Sequence, residues 1–166
     1  MTSFRLTTRL VQLATLFLFG FATAASQAQT RYTVSADGQE VLDTQTNLVW
    51  RRCAEGTQWD GKACKGKPTK FKFAASKVAA EKVAKATDKA WRVPTKDELG
   101  GLVVKSKKKP RIDATAFPNT PAALFLSSRP GYEDGLNAWL VHFGNGRAYG
   151  YTGQGKFNLR LVRTAP

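Results

Sequence analysis

The first 28 residues of this chain are not material for a fold. Arg5 and Arg9 precede an apolar run over residues 10–24, interrupted by little more than Gln12, Thr15, Gly20 and Thr23. A basic flank, a short apolar stretch and small-residue exits at Ala22-Thr23-Ala24 and Ser26-Gln27-Ala28 make the pattern of a secretory signal. Cleavage is expected after Ala28. The run is short for a membrane-spanning helix, and no later stretch is apolar enough over sufficient length to span a bilayer. No Cys follows the run, so a lipid anchor is not expected. The expectation is an exported chain, periplasmic or secreted, with one domain over residues 29–166. A composition of 42% hydrophobic and 11% aromatic residues provides the core such a domain needs and excludes a disordered polycation.

Export changes the meaning of the cysteines. Cys53 and Cys64 are the only pair, and in an oxidising compartment they are expected to close one disulfide around Trp59-Asp60-Gly61. A loop that short contributes roughly 2–3 kcal/mol through the entropy of the unfolded chain. A redox-active pair would need a tighter C-x-x-C spacing.

The charge is segmental. The chain has 26 Lys+Arg against 12 Asp+Glu, and residues 62–111 hold 16 of those cations with only Glu81, Asp88, Asp97 and Glu98 opposing them. The remainder of 29–166 is balanced. Lysine dominates the excess, and its hydrated point charge suits diffuse attraction better than bidentate recognition. The densest run is Lys105, Lys107, Lys108, Lys109 and Arg111 around Pro110. It reads either as a solvated loop or as a patch for sulfated or phosphorylated polymers.

Local patterns predict α+β structure. Short strands are expected over 32–34, 40–43 and 47–50, with Asp37-Gly38 as a turn. Residues 73–90 lack Gly and Pro and are rich in Ala and Lys, which predicts a helix. Phe73, Ala75, Ala79, Ala80, Val83, Ala84, Ala86 and Ala90 fall on one half, with Lys77, Glu81, Lys82, Lys85 and Lys89 on the other. Thr95-Lys96-Asp97-Glu98 is a capping box that should open a second helix over 96–104, with Leu99, Leu102 and Val103 buried. Strands follow over 123–127, around Trp139-Val141-Phe143, and over 147–151 beyond a Gly144-Asn145-Gly146 turn. The last, over 158–163, should alternate Leu159 and Leu161 against Arg160 and Val162. Antiparallel sheet with two flanking helices is the class this order implies.

Four stretches together resemble the Lcl C-terminal domain family, named for the C-terminal domain of a bacterial collagen-like adhesin. They are Leu42-Asp43-Thr44-Gln45-Thr46-Asn47-Leu48-Val49-Trp50; Trp91-Arg92-Val93-Pro94-Thr95-Lys96-Asp97-Glu98-Leu99; Pro110-Arg111-Ile112-Asp113 with Phe117-Pro118; and Ala138 to Gly146 with Arg160-Leu161-Val162-Arg163. The second and fourth are also similar to sulfatase-modifying-type domains, which implies a C-type-lectin-like fold. The chain lacks the late catalytic cysteines of formylglycine-generating enzymes and the Glu-Pro-Asn or Gln-Pro-Asp loop of calcium lectins. It also lacks a Gly-X-Y stalk. The resemblance implies surface or periplasmic binding of sulfated polyanions.

Catalytic constellations are poorly supplied. His142 is the sole His, and a triad with Ser127 or Ser128 and Asp113 or Asp134 would lack a Gly-x-Ser-x-Gly elbow. Glu133-Asp134-Gly135 reads as a hairpin tip, and no cluster has zinc spacing. No enzyme, metal or cofactor is expected. Trp50, Trp91 and Trp139 are assigned to the core, and Trp59 to loop packing or to stacking on a sugar. The expected function is non-catalytic binding of an anionic glycan or envelope polymer by Lys105, Lys107, Lys108, Lys109 and Arg111. Lys82, Lys85 and Lys89 would help if the two helices sit together. A structural or protein-interaction role in the envelope is the alternative; nucleic acid is not an expected physiological partner of an exported chain.

Overall fold

A computed structural model describes residues 30–128 and 138–166. The predicted signal segment and the predicted hairpin tip at Glu133-Asp134-Gly135 lie outside the described residues. Strands β1 (Tyr32–Val34), β2 (Glu40–Asp43) and β3 (Leu48–Arg51) form an antiparallel meander, and β9 (Val162–Thr164) returns from the far end of the chain to pair with β3. Leu48 opposes Thr164 and Trp50 opposes Val162. A second antiparallel sheet is built from β6 (Leu124–Leu126), β7 (Ala138–His142) and β8 (Arg147–Tyr151).

The side-chain alternation of both sheets divides the interior in two. Val41, Trp50, Phe125 and Val141 face one cluster, with Leu99, Leu102, Ile112, Phe117 and Phe143. Their strand neighbours Leu42, Val49, Leu126 and Leu140 face the other, with Ala80, Trp91, Val93, Leu159 and Leu161. A period of two is the reason adjacent residues serve different clusters. Helix α1 (Phe73–Thr87) packs on the second cluster, and α2 (Lys96–Gly100) places Leu99 in the first.

Both helices are shorter than their patterns predict. α1 stops at Thr87 because Asp88 turns left-handed, φ 52°, and its N–H bonds the Ala84 carbonyl. Its buried stripe is narrower than the expected half: Ala75, Ala86 and Ala90 are exposed, while Ser76 is buried with its hydroxyl donating to the Phe73 carbonyl at 2.6 Å. α2 ends at Gly100 rather than near residue 104, since Gly100-Gly101 is a poor helix continuation. Leu102 still reaches the core from the turn that follows.

Two further findings concern β pairing. Within the cysteine loop, β4 (Thr57–Trp59) and β5 (Cys64–Gly66) form a hairpin. Its turn is organised by Asp60, whose carboxylate accepts from Lys62 and Ala63 N–H. Cys53 and Cys64 form the expected disulfide, and both are buried. The last segment corrects the predicted alternation. Leu159, Arg160, Leu161 and Val162 are all fully buried, because residues 158–162 cross from one sheet to the other. Asn158 bonds β6 through Leu124 and Leu126, whereas the carbonyls of Leu159 and Leu161 accept from Glu55 and Arg51 N–H. Arg160 is therefore an interior cation. It donates to the carbonyls of Arg51 and Arg52 and to Thr120 Oγ1, over the Phe117 ring at 4.8 Å.

Candidate polyanion interface

The lysine run is a loop tied at its base. Val104 N–H donates to the Arg111 carbonyl at 3.1 Å, and Arg111 N–H donates to the Phe143 carbonyl at 2.6 Å. Between these anchors Lys105, Lys107, Lys108 and Lys109 are all exposed, and none forms an ion pair among the described residues. Ser106 shapes the interior of the loop: its N–H donates to Val104 and its hydroxyl accepts from Lys108 N–H at 3.0 Å.

The bond to Phe143 seats this loop on the β7–β8 turn. There Gly146 adopts φ 73°, and a Cβ on it would stand 2.8 Å from Val103 Cγ1 and 3.4 Å from Arg111 Cδ. Only glycine allows this approach of turn and loop. The half-buried Arg111 side chain lies against the turn, which also presents exposed Asn145 partners and starts β8 with exposed Arg147. Arg147 is thus a sixth basic side chain, beyond the four lysines and Arg111, at this end. A reading by charge density misses it because it stands alone in the sequence; the Asn145-Gly146 hairpin signal was its one indicator.

The other proposed lysines are elsewhere. Lys82 and Lys85 are exposed on α1, which packs on the second cluster while the loop adjoins the first. Lys89 is engaged with Glu40 at 2.5 Å, and Glu40 also receives Arg163 at 2.6 Å. The fold therefore places Lys105, Lys107, Lys108, Lys109 and Arg111 on one anchored loop and Lys82 and Lys85 on a different element, α1.

The residues quoted as motifs do a different job. Asp43, almost wholly buried, receives both Arg31 nitrogens at 3.0 and 2.7 Å and the Gln45 N–H, fixing the β2–β3 turn. Thr95 and Glu98 complete the capping box, at 3.2 and 2.7 Å, and Glu98 also takes a bidentate pair from Arg92. That pair holds the Glu98 carboxyl below its ordinary value of 4.5. Asp113 accepts from Thr115 and Ala116 N–H and shapes the turn into Phe117. Burial pushes the Arg160 guanidinium down to about 9, with Glu55 opposing the shift. Burial raises the Glu55 carboxyl in turn.

Trp50 and Trp91 are core residues as expected, while Trp139 is half-buried beneath Lys96, 4.5 Å from its ring centre. Trp59 packs between Gly38 and Arg52, whose guanidinium lies 3.7 Å from its ring. Ser127 donates to the Trp139 carbonyl at 3.0 Å, and neither it nor Asp113 bonds His142 among the described residues. No group of three His, Cys, Asp or Glu able to hold a metal ion occurs among the described residues.

These motifs define a class: a disulfide-linked α+β domain of antiparallel sheets in which Asp43 and Asp113 set turns and Thr95 with Glu98 starts the second helix. The Lcl C-terminal domain family model matches residues 39–163, and the chain belongs to that family. No curated protein and no solved structure matches the chain.

Proposed function

We propose that this chain is an exported, non-catalytic binding module of the cell envelope that takes anionic polymers on the loop over residues 104–111. The observation that carries the reading is the loop itself. Among the described residues, four exposed lysines stand without acidic partners on a segment anchored at both ends, beside Arg111 and the β7–β8 turn. Concentrated like charge without compensation raises the local concentration of a polyanion and yields an attraction that salt weakens. Sulfated or phosphorylated glycans fit this chemistry, since lysine offers point charges rather than a rigid fork. A periplasmic or secreted location follows from the signal pattern of residues 1–28, and no helix among the described residues is long and apolar enough to cross a membrane. Two helices beside antiparallel sheet also support the C-type-lectin-like fold that the family likeness implies.

The test is a salt gradient on immobilised heparin, with a neutral polysaccharide column as control. Elution above about 0.15 M ionic strength is expected, because close charges keep their attraction where the screening length is about 8 Å. K105Q/K107Q/K108Q/K109Q should elute near the neutral control. Unchanged retention of that variant rejects the site, and a salt-insensitive contact with an envelope protein would favour the alternative role in protein interaction.

A further inference from the structure

We propose a second anion site, separate from the lysine loop, in the cavity bordered by Lys70, His142 and Lys156, which takes a sulfate or phosphate monoester of a sugar-sized body. The cavity measures about 310 Å³. Three chain segments distant in sequence bring its polar groups together, and backbone pairing fixes each of them. Phe71 and Phe157 exchange two hydrogen bonds, at 2.8 and 3.0 Å, which sets Lys70 and Lys156 on neighbouring segments. Asn158 then bonds the Leu124 carbonyl through both its N–H and its side-chain amide, and Leu124 opposes His142 in the β6–β7 register.

The chemistry of the rim is one-sided. Lys70 and Lys156 are exposed, and among the described residues they form no ion pair and no carboxylate lines the cavity. His142 Nδ1 accepts from Gly144 N–H at 2.8 Å, which assigns the proton of the neutral ring to Nε2 and makes the imidazole a donor there. Two ammonium groups and an imidazole N–H match a tetrahedral oxyanion, which offers several acceptors and a charge. Size argues for more than a bare ion. The volume lies at the lower end of the roughly 300–1,000 Å³ range of small-molecule sites. Leu124 and Phe157 supply apolar surface on which ring carbons can rest.

His142 is the sole histidine, so its imidazole signal is unambiguous in the NMR spectrum of the purified full-length protein. Glucose 6-sulfate, glucose 6-phosphate and glucose are titrated at constant ionic strength, with NaCl making up the balance. Both esters should move the His142 resonance saturably while glucose leaves it in place, and the tighter ester names the source. In K70Q/K156Q, which removes two exposed charges and no ion pair among the described residues, affinity should fall about tenfold or more, one charge-assisted contact being worth that much. K105Q/K107Q/K108Q/K109Q should bind the esters within about twofold of the unmodified protein, since none of those lysines lines the cavity. A stationary His142 signal, an equal response to NaCl, or unchanged affinity in K70Q/K156Q overturns the proposal. So does loss of binding in the loop variant with K70Q/K156Q unaffected. The heparin column reports on the loop and the imidazole on the cavity, so either can fail alone.

Discussion

Residues 91–99 and residues 104–111 are near neighbours in sequence and both are rich in charge, yet they use it in opposite ways. In the first, Arg92 pairs with Glu98, Glu98 caps α2, and Lys96 lies over Trp139. Trp91, Val93 and Leu99 fill the interior behind them. In the second, the backbone is fixed at Val104 and Arg111 while the lysines between are left to water. Charge that is matched serves the fold, and charge that is unmatched is available to something else. The same contrast separates the lysine loop from Arg160, a fully buried cation whose terminal nitrogens are bonded to the Arg51 and Arg52 carbonyls and to Thr120.

The contrast breaks most severely at Arg160. Arg160→Met should destabilise the protein by about 3 kcal/mol or more, since it removes the fully buried donor that holds the Arg51 and Arg52 carbonyls and Thr120 together. Urea unfolding measures this, and a loss below about 1 kcal/mol would show that the buried cation is not a keystone of the two-sheet junction. A smaller loss is expected at the capping box. Glu98→Gln should cost about 1 kcal/mol through the weakened cap and lost pair. The pH dependence has a definite sign. Because the folded Glu98 carboxyl is held below 4.5, its stabilisation is present above that value and disappears as pH falls through the depressed one. The Glu98→Gln variant should therefore lose less stability than the unmodified protein between neutral pH and that acid range. An identical acid profile would contradict the assignment.

How far these features can be read from sequence depends on how local their causes are. The capping box is written in the spacing of Thr95 and Glu98, and the β2–β3 strands in the alternation of Val41, Leu42, Val49 and Trp50. The disulfide is legible because the sequence holds one pair of cysteines behind a segment with the pattern of a secretory signal. By contrast, three residues per strand are too few to announce β4 and β5 by period. Arg160 follows the polar half of an apparent alternation, and only the crossing of residues 158–162 between sheets reveals that both halves are buried. Lys105, Lys107, Lys108, Lys109 and Arg111 are visible as charge density. The bond from Arg111 to Phe143, the nearness of Arg147, and the meeting of Lys70, His142 and Lys156 come from long-range pairing that no local window contains.

The central claim is that placement of charge, rather than its total, makes the interface, and two variants of equal net charge test it. K105Q/K107Q/K108Q/K109Q removes the loop lysines; K65Q/K67Q/K82Q/K85Q removes four exposed lysines from β5, its flank and α1. Both should unfold within about 0.5 kcal/mol of the unmodified protein, as exposed substitutions usually do. On immobilised heparin the loop variant should elute at much lower salt, while the second variant should elute close to the unmodified protein. Equal displacement of the two would mean that net charge alone governs retention and would contradict the assignment of the loop.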